Sequence, residues 1–327
     1  MKSFEQYISE ANPVVDQKAR SLAARVYNRM ISRLRECLAK GTIGTSFVFY
    51  TANDNVGFNL GRLLREPDYF DITIWFGPMT NKFGGYFSQR DDMDIIHLAK
   101  LFPTSAKKIK PNQDMKNCEI ILDAVDKLQH DVRDVFVHEF IHHLDDTRYK
   151  SNSYRVKGTL DLSGGTYYNE PKELNAHTQE MIANMDLWFK DYYVSTVNAL
   201  KSRMVVEFNQ AKDEEGYENA LFIAGKIVRH YALIVEYLDD TRKGMESIIE
   251  KIPGSKRDFM KHLTSENRKK VLARLYQYYT ETLNKRFKVL KESLLSVVKR
   301  LNNKNAIAYI QKEVPDTYKS LVQMGLK

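Results

Sequence analysis

Cysteine is scarce in this chain. Only Cys37 and Cys118 occur among 327 residues. That excludes a disulfide framework and points to a reducing compartment. Long apolar runs are missing too, and none approaches the length that crosses a bilayer, so no membrane partner is expected. The first residues have no apolar core of the kind a secretory signal needs. No repeat is evident in the C-terminal half. Acidic residues run short there: residues 201–327 carry 25 Lys and Arg against 16 Asp and Glu. The first 200 residues carry 25 against 26, so the basic excess lies in the C-terminal part. Such an excess favours a polyanionic neighbour such as nucleic acid, or simply a solvated helical surface. With 43% hydrophobic residues the chain can bury a core and is not a disordered one. Its length suits two domains, or one large domain with an appendage.

What is present centres on residues 131–149, DVRDVFVHEFIHHLDDTRY. His138, Glu139 and His142 form H-E-x-x-H. On a helix, positions i and i+4 lie one turn apart on one face. Two imidazoles so placed can grip one zinc ion, and the intervening Glu139 can reach a water there. Val135, Phe136, Phe140, Ile141 and Leu144 give an apolar helical pattern, which predicts that this helix is buried.

Upstream, Asn12 and Pro13 suit a helix start. Val15, Ala19, Leu22, Val26, Met30, Leu34 and Cys37 recur at helical spacing, and Gly41 stops the run. From Thr45 to Phe102 the pattern changes to short β-branched or aromatic runs at 46–51, 71–76, 85–88 and 94–98. They predict a small sheet of three to five strands. Residues 103–117 read as a connection, 119–127 as either a strand or a helix start, and 150–170 as a loop or irregular hairpin. From Pro171 the chain reads as helical almost to its end. Residues 219–240 form one apolar helix. Residues 268–301 form a long amphipathic one, with Leu272, Tyr276, Tyr279, Leu283, Phe287, Leu290, Leu294, Val297 and Leu301 on its face.

The order helix, sheet, H-E-x-x-H helix resembles the N-terminal half of a zincin metalloprotease. The metzincin continuation is absent, since Asp145 stands at its Gly position and Arg148 at its final His position. The segment Glu173-Leu-Asn-Ala176-His177 resembles instead the third-ligand helix of gluzincins. That resemblance implies a zinc held by His138, His142 and Glu173, with Glu139 as general base. There, the residue four after the ligand Glu orients a metal histidine. Here that residue is His177, which departs from the usual Asp or Asn and is either an orienting residue or the ligand in place of Glu173. Asp145, three residues after His142, can hold an imidazole N–H or be a surface acid. Tyr167 and Tyr168 can donate to an oxyanion or pack as aromatics.

The implied fold class is α+β: a zincin-like metalloprotease core of small mixed sheet plus H-E-x-x-H helix, then a mostly helical C-terminal region. The first ten residues stand apart. Met1-Lys-Ser-Phe-Glu-Gln-Tyr-Ile8-Ser-Glu10-Ala11 resembles the capsid-targeting peptide of internal head proteins in large tailed phages. The resemblance implies cleavage after Ile8-Ser9-Glu10, so that the mature chain starts at Ala11. The expected organisation is a propeptide at 1–10, a metalloprotease domain at 11–195 and a basic helical domain at 196–327. The expected function is a zinc metalloendopeptidase acting on a host or phage protein, packed in the phage head beside DNA and delivered to the host cytoplasm. The rivals are a non-enzymatic, DNA-associated internal head protein with a degenerate core, and a protease of phage assembly.

Overall fold

The computed structural model describes residues 13–40, 46–50, 70–75, 85–90, 93–98, 133–142 and 167–326. The expectations for 103–117 and 119–127, for most of 150–170, and for Glu10, Ala11 and Asp145, lie outside the described residues. Helix α1 (Pro13–Ala39) follows from a four-residue apolar repeat. Leu22, Val26, Met30, Leu34 and Leu38 form one buried row, with Ala23, Tyr27 and Ile31 beside it. Two adjoining rows make the broad stripe that a helix needs to bury itself on one side.

Four short strands follow: β1 (Ser46–Tyr50), β2 (Phe70–Trp75), β3 (Gly85–Arg90) and β4 (Met93–Leu98). Their order is β1-β2-β4-β3. The outer pairs are antiparallel, with Ser46 opposite Trp75 and Gly85 opposite Leu98. The central pair is parallel, with Phe70 opposite Asp94. Phe47, Phe49 and Ile72 are buried.

Helix nevertheless dominates, and the α+β expectation is corrected to a mostly helical class. The strands have five or six residues each, whereas three of the helices have 27, 18 and 26. The aromatic runs of 45–102 carried the α+β reading, and among the described residues they produce little structure beside the helical stripes. No helix among the described residues is long and apolar enough to cross a membrane.

Helix α2 spans residues 133–142. Its Phe136, Val137, Phe140 and Ile141 are buried, and Phe136 meets Tyr27 of α1 with ring centroids 5.8 Å apart. Helix α3 (Pro171–Trp188) opens on a proline, whose fixed φ suits a first turn. It follows a 3-10 turn, Tyr167–Asn169. Arg20 of α1 donates to Gln179 of α3.

The chain divides into two compact units, Met1–Ala183 with Asp258–Val271, and Asn184–Arg257 with Leu272–Lys327. In the second, π-type turns at Phe189–Val194 and Leu200–Met204 alternate with α4 (Ser195–Ala199) and α5 (Val205–Gln210). Helices α6 (Glu214–Asp239) and α7 (Thr241–Lys251) are capped by Asp213 and Asp240, whose side chains accept from the backbone three residues on. Helix α8 (Gly254–Arg257) closes this stretch. The segment expected as one long helix is α9 (Ser265–Tyr278), a π-type turn at Tyr279–Leu283 and α10 (Asn284–Val298), without a break in helical backbone. Helices α11 (Lys304–Glu313) and α12 (Pro315–Gln323) complete the chain. An aromatic core holds the second unit: the Phe287 ring lies 4.8 Å from Phe189 and 5.0 Å from Tyr193. Such crossed rings add about 0.5–1.5 kcal/mol each beyond burial.

Candidate metal centre

The first unit brings candidate donor atoms of three residues together. His138 Nε2 and His142 Nε2 stand 3.1 Å apart. Glu173 Oε2 lies 3.3 Å from His138 Nε2, and Glu173 Oε1 lies 3.3 Å from His142 Nε2. The two histidines share a face of α2 because they are one turn apart. Glu173 sits in the first turn of α3, where the positive end of the helix favours a carboxylate. Ala176, fully buried, leaves room for close packing there.

These separations test whether a cation fits. Four donors at about 2.05 Å around a tetrahedral zinc stand roughly 3.3 Å from one another. The separations between the imidazoles, and from each imidazole to its nearer Glu173 oxygen, are of that size. The donor chemistry, two imidazoles and one carboxylate, also suits zinc. Glu173 Oε2 and His138 Nδ1 are buried without a hydrogen-bond partner, and such atoms are costly to leave unsatisfied. His138, His142 and Glu173 therefore form one group able to hold a divalent cation.

Electrostatics couple the trio. Burial works to lower the His138 pKa, but the carboxylates of Glu173 and Glu180 outweigh it and hold it up to about 10. Burial works to raise the Glu173 pKa, but His138 and His142 hold it far below the usual carboxylate range. A proton on His138 thus satisfies the same carboxylate that a cation would. Glu139 is buried, 8% exposed, and its charge acts on His138 and Tyr167. Burial, with Glu173 close by, pushes the Tyr167 phenol well above its usual range.

His177 does not join the trio. Its Nε2 is 4.0 Å from Glu173 Oε2, while its Nδ1 meets Glu180 Oε2 at 3.2 Å. Burial pushes the His177 pKa down. Tyr168 lies in an aromatic cluster, 5.1 Å from the His177 ring and stacked on His262 at 5.5 Å. Tyr167, rather than Tyr168, is the tyrosine beside Glu173.

Sequence reasoning missed three neighbours of the centre. Glu180 has its Oε2 3.7 Å from His138 Nδ1. Its spacing from Glu173 and His177, i+7 and i+3 on one helix, was the available signal. Phe259, stacked on His177 at 5.1 Å, and His262 come from a 3-10 turn, Asp258–His262. Nothing local in the sequence pointed to them. Asn169 ties that turn to the start of α3. Its Nδ2 donates to His262 O at 2.9 Å, and its Oδ1 accepts from Thr264 N at 2.9 Å and from Asn267 Nδ2 at 3.0 Å. Arg268 Nη2 adds a bond to Met260 O at 3.0 Å.

Comparison of the chain with protein-family models, with curated proteins and with solved structures finds no match.

Proposed function

We propose that this chain is a zinc-dependent metallopeptidase with a gluzincin-type ligand set. The observation that carries the reading is the convergence of three side chains: His138 Nε2 and His142 Nε2 stand 3.1 Å apart, with Glu173 Oε2 3.3 Å from the first and Glu173 Oε1 3.3 Å from the second. Bound there, zinc would supply Lewis acidity toward water and toward a substrate carbonyl. His138, His142 and Glu173 would hold the ion. Glu139, on the same helix as both histidines, accepts a proton from the attacking water. It then returns that proton to the amide nitrogen as the C–N bond breaks.

The test is zinc content and peptide hydrolysis side by side. One zinc per chain is expected, with hydrolysis of an unfolded protein substrate. Glu139→Gln keeps the zinc and loses hydrolysis. A wild-type chain without zinc would sink the reading.

A second reading, a DNA-associated head protein without enzymatic activity, is favoured by the basic excess of residues 201–327. It predicts DNA binding that falls steeply with salt and ignores Glu139→Gln. In either case the first eleven residues support packaging in a phage head. Incubation with a prohead protease then gives a chain starting at Ala11, and an intact N-terminus argues against it.

A further inference from the structure

We propose that Glu180 is the positioning residue of the centre, holding His138 through Nδ1 in the tautomer that frees Nε2 for a metal, with His177 as the second strut of the same carboxylate. This rests on the zinc reading above. The geometry begins with one oxygen. Glu180 Oε2 faces His177 Nδ1 at 3.2 Å and His138 Nδ1 at 3.7 Å. His138 and Glu180 are each 8% exposed, and the His177 side chain is 18% exposed. An ionised carboxylate can only accept, so a ring nitrogen that bonds to it carries a proton. With the proton on Nδ1, the other nitrogen of His138 presents its lone pair to His142 and Glu173. That is the form a metal requires.

The resemblance to gluzincins placed the orienting role four residues after Glu173, at His177. A histidine there, with its Nδ1 turned to Glu180, leaves no carboxylate at that position. The acid stands instead three residues further along the same face of α3, and reaches the ligand's back nitrogen from there. His177 in turn is clamped between Glu180 and the Phe259 ring, stacked at 5.1 Å. The gap of 3.7 Å between Glu180 and His138 is longer than a hydrogen bond. A ring turn of a few tenths of an ångström closes it, and His138 Nδ1 is otherwise buried without a partner. His138, His177 and Glu180 also form a group able to hold a cation themselves. The hydrogen-bond reading is preferred because a second ion there would need both nitrogens of His138 at once.

The test measures zinc affinity by competition with a chromophoric chelator, using the full chain, Glu180→Ala and Glu180→Gln. Circular dichroism checks the fold. Glu180→Ala is expected to bind one zinc with affinity lower by about 10–100-fold. Glu180→Gln, whose amide oxygen still accepts one N–H, falls about tenfold and remains folded even if the alanine variant does not. Imidazole nitrogen spectra of the zinc-loaded wild type show His138 protonated on Nδ1, and that state becomes mixed in the variants. Wild-type affinity in Glu180→Gln, or an unchanged tautomer, overturns the inference while leaving the zinc reading intact. Two zincs in the wild type, falling to one in Glu180→Gln, overturn it in favour of a second metal. A wild-type chain that binds no zinc removes both readings together.

Discussion

Glu173 Oε1 stands 3.3 Å from His142 Nε2, although 31 residues separate them in the chain. The contact joins the first turn of one helix to the last described turn of another. It predicts that either residue is needed for the ion. Glu173→Ala and His142→Ala are each expected to lower zinc affinity by about 100-fold or more, above the range typical of outer neighbours. Zinc analysis after dialysis reads this directly.

A proton on His138 would compete with a metal bound at the proposed centre. The His138 pKa is held up to about 10, and zinc needs that ring neutral. Apparent zinc affinity therefore rises with pH through the neutral range, by up to about tenfold per unit. Calorimetry in two buffers of different ionisation enthalpy is expected to show about one proton released per zinc. The raised pKa gives the chelated protein a contribution that is full below about 6.5 and lost as pH rises through about 10. Melting temperatures of chelated and zinc-loaded protein are expected to diverge between those limits.

Asn169 is small, yet it bonds to His262, Thr264 and Asn267. Asn169→Ala leaves these groups short of partners and is expected to cost about 1–3 kcal/mol. Urea unfolding measures it. Zinc affinity falls in the same variant, because Tyr167 and Glu173 start from the turn that Asn169 anchors. A variant that lost stability with no change in zinc affinity would separate the turn from the centre.

Gly244 of α7 faces Tyr279. A Cβ there would come within 2.8 Å of Tyr279 Cζ and 3.0 Å of Tyr237 Cβ. The Tyr279 ring is fully buried, and its hydroxyl donates to Tyr237 O at 3.0 Å, so it has nowhere to retreat. Gly244→Ala is expected to destabilise by about 1–3 kcal/mol, the usual cost of overpacking. Tyr279→Phe leaves the Tyr237 carbonyl unpaired and costs a similar amount. Denaturant midpoints check both, and zinc content is expected to stay unchanged.

These residues show which parts of the structure the sequence made legible. His138 and His142 were readable because a helical period of 3.6 residues puts i and i+4 together whatever surrounds them. Glu173 was readable only through a resemblance, since no local rule sets the distance between two helices. Glu180 lay on the correct face but two turns along, where reach depends on how α2 and α3 pack. Phe259 and His262 were not legible at all, because their place beside His177 and Tyr168 depends on a return of the chain after some eighty residues. The fold class was misread for a related reason. Short aromatic runs signal strands locally, but the balance of the class is set by how much of the chain the long apolar stripes claim.

The membership of Asp258–Val271 in the first unit bears on biosynthesis. A nascent chain that has just released α3 from the ribosome holds every candidate ligand, yet lacks the aromatic wall behind His177 and the partners of Asn169. The surroundings of the centre are therefore complete only once residues 258–271 have followed more than half of the second unit out of the ribosome.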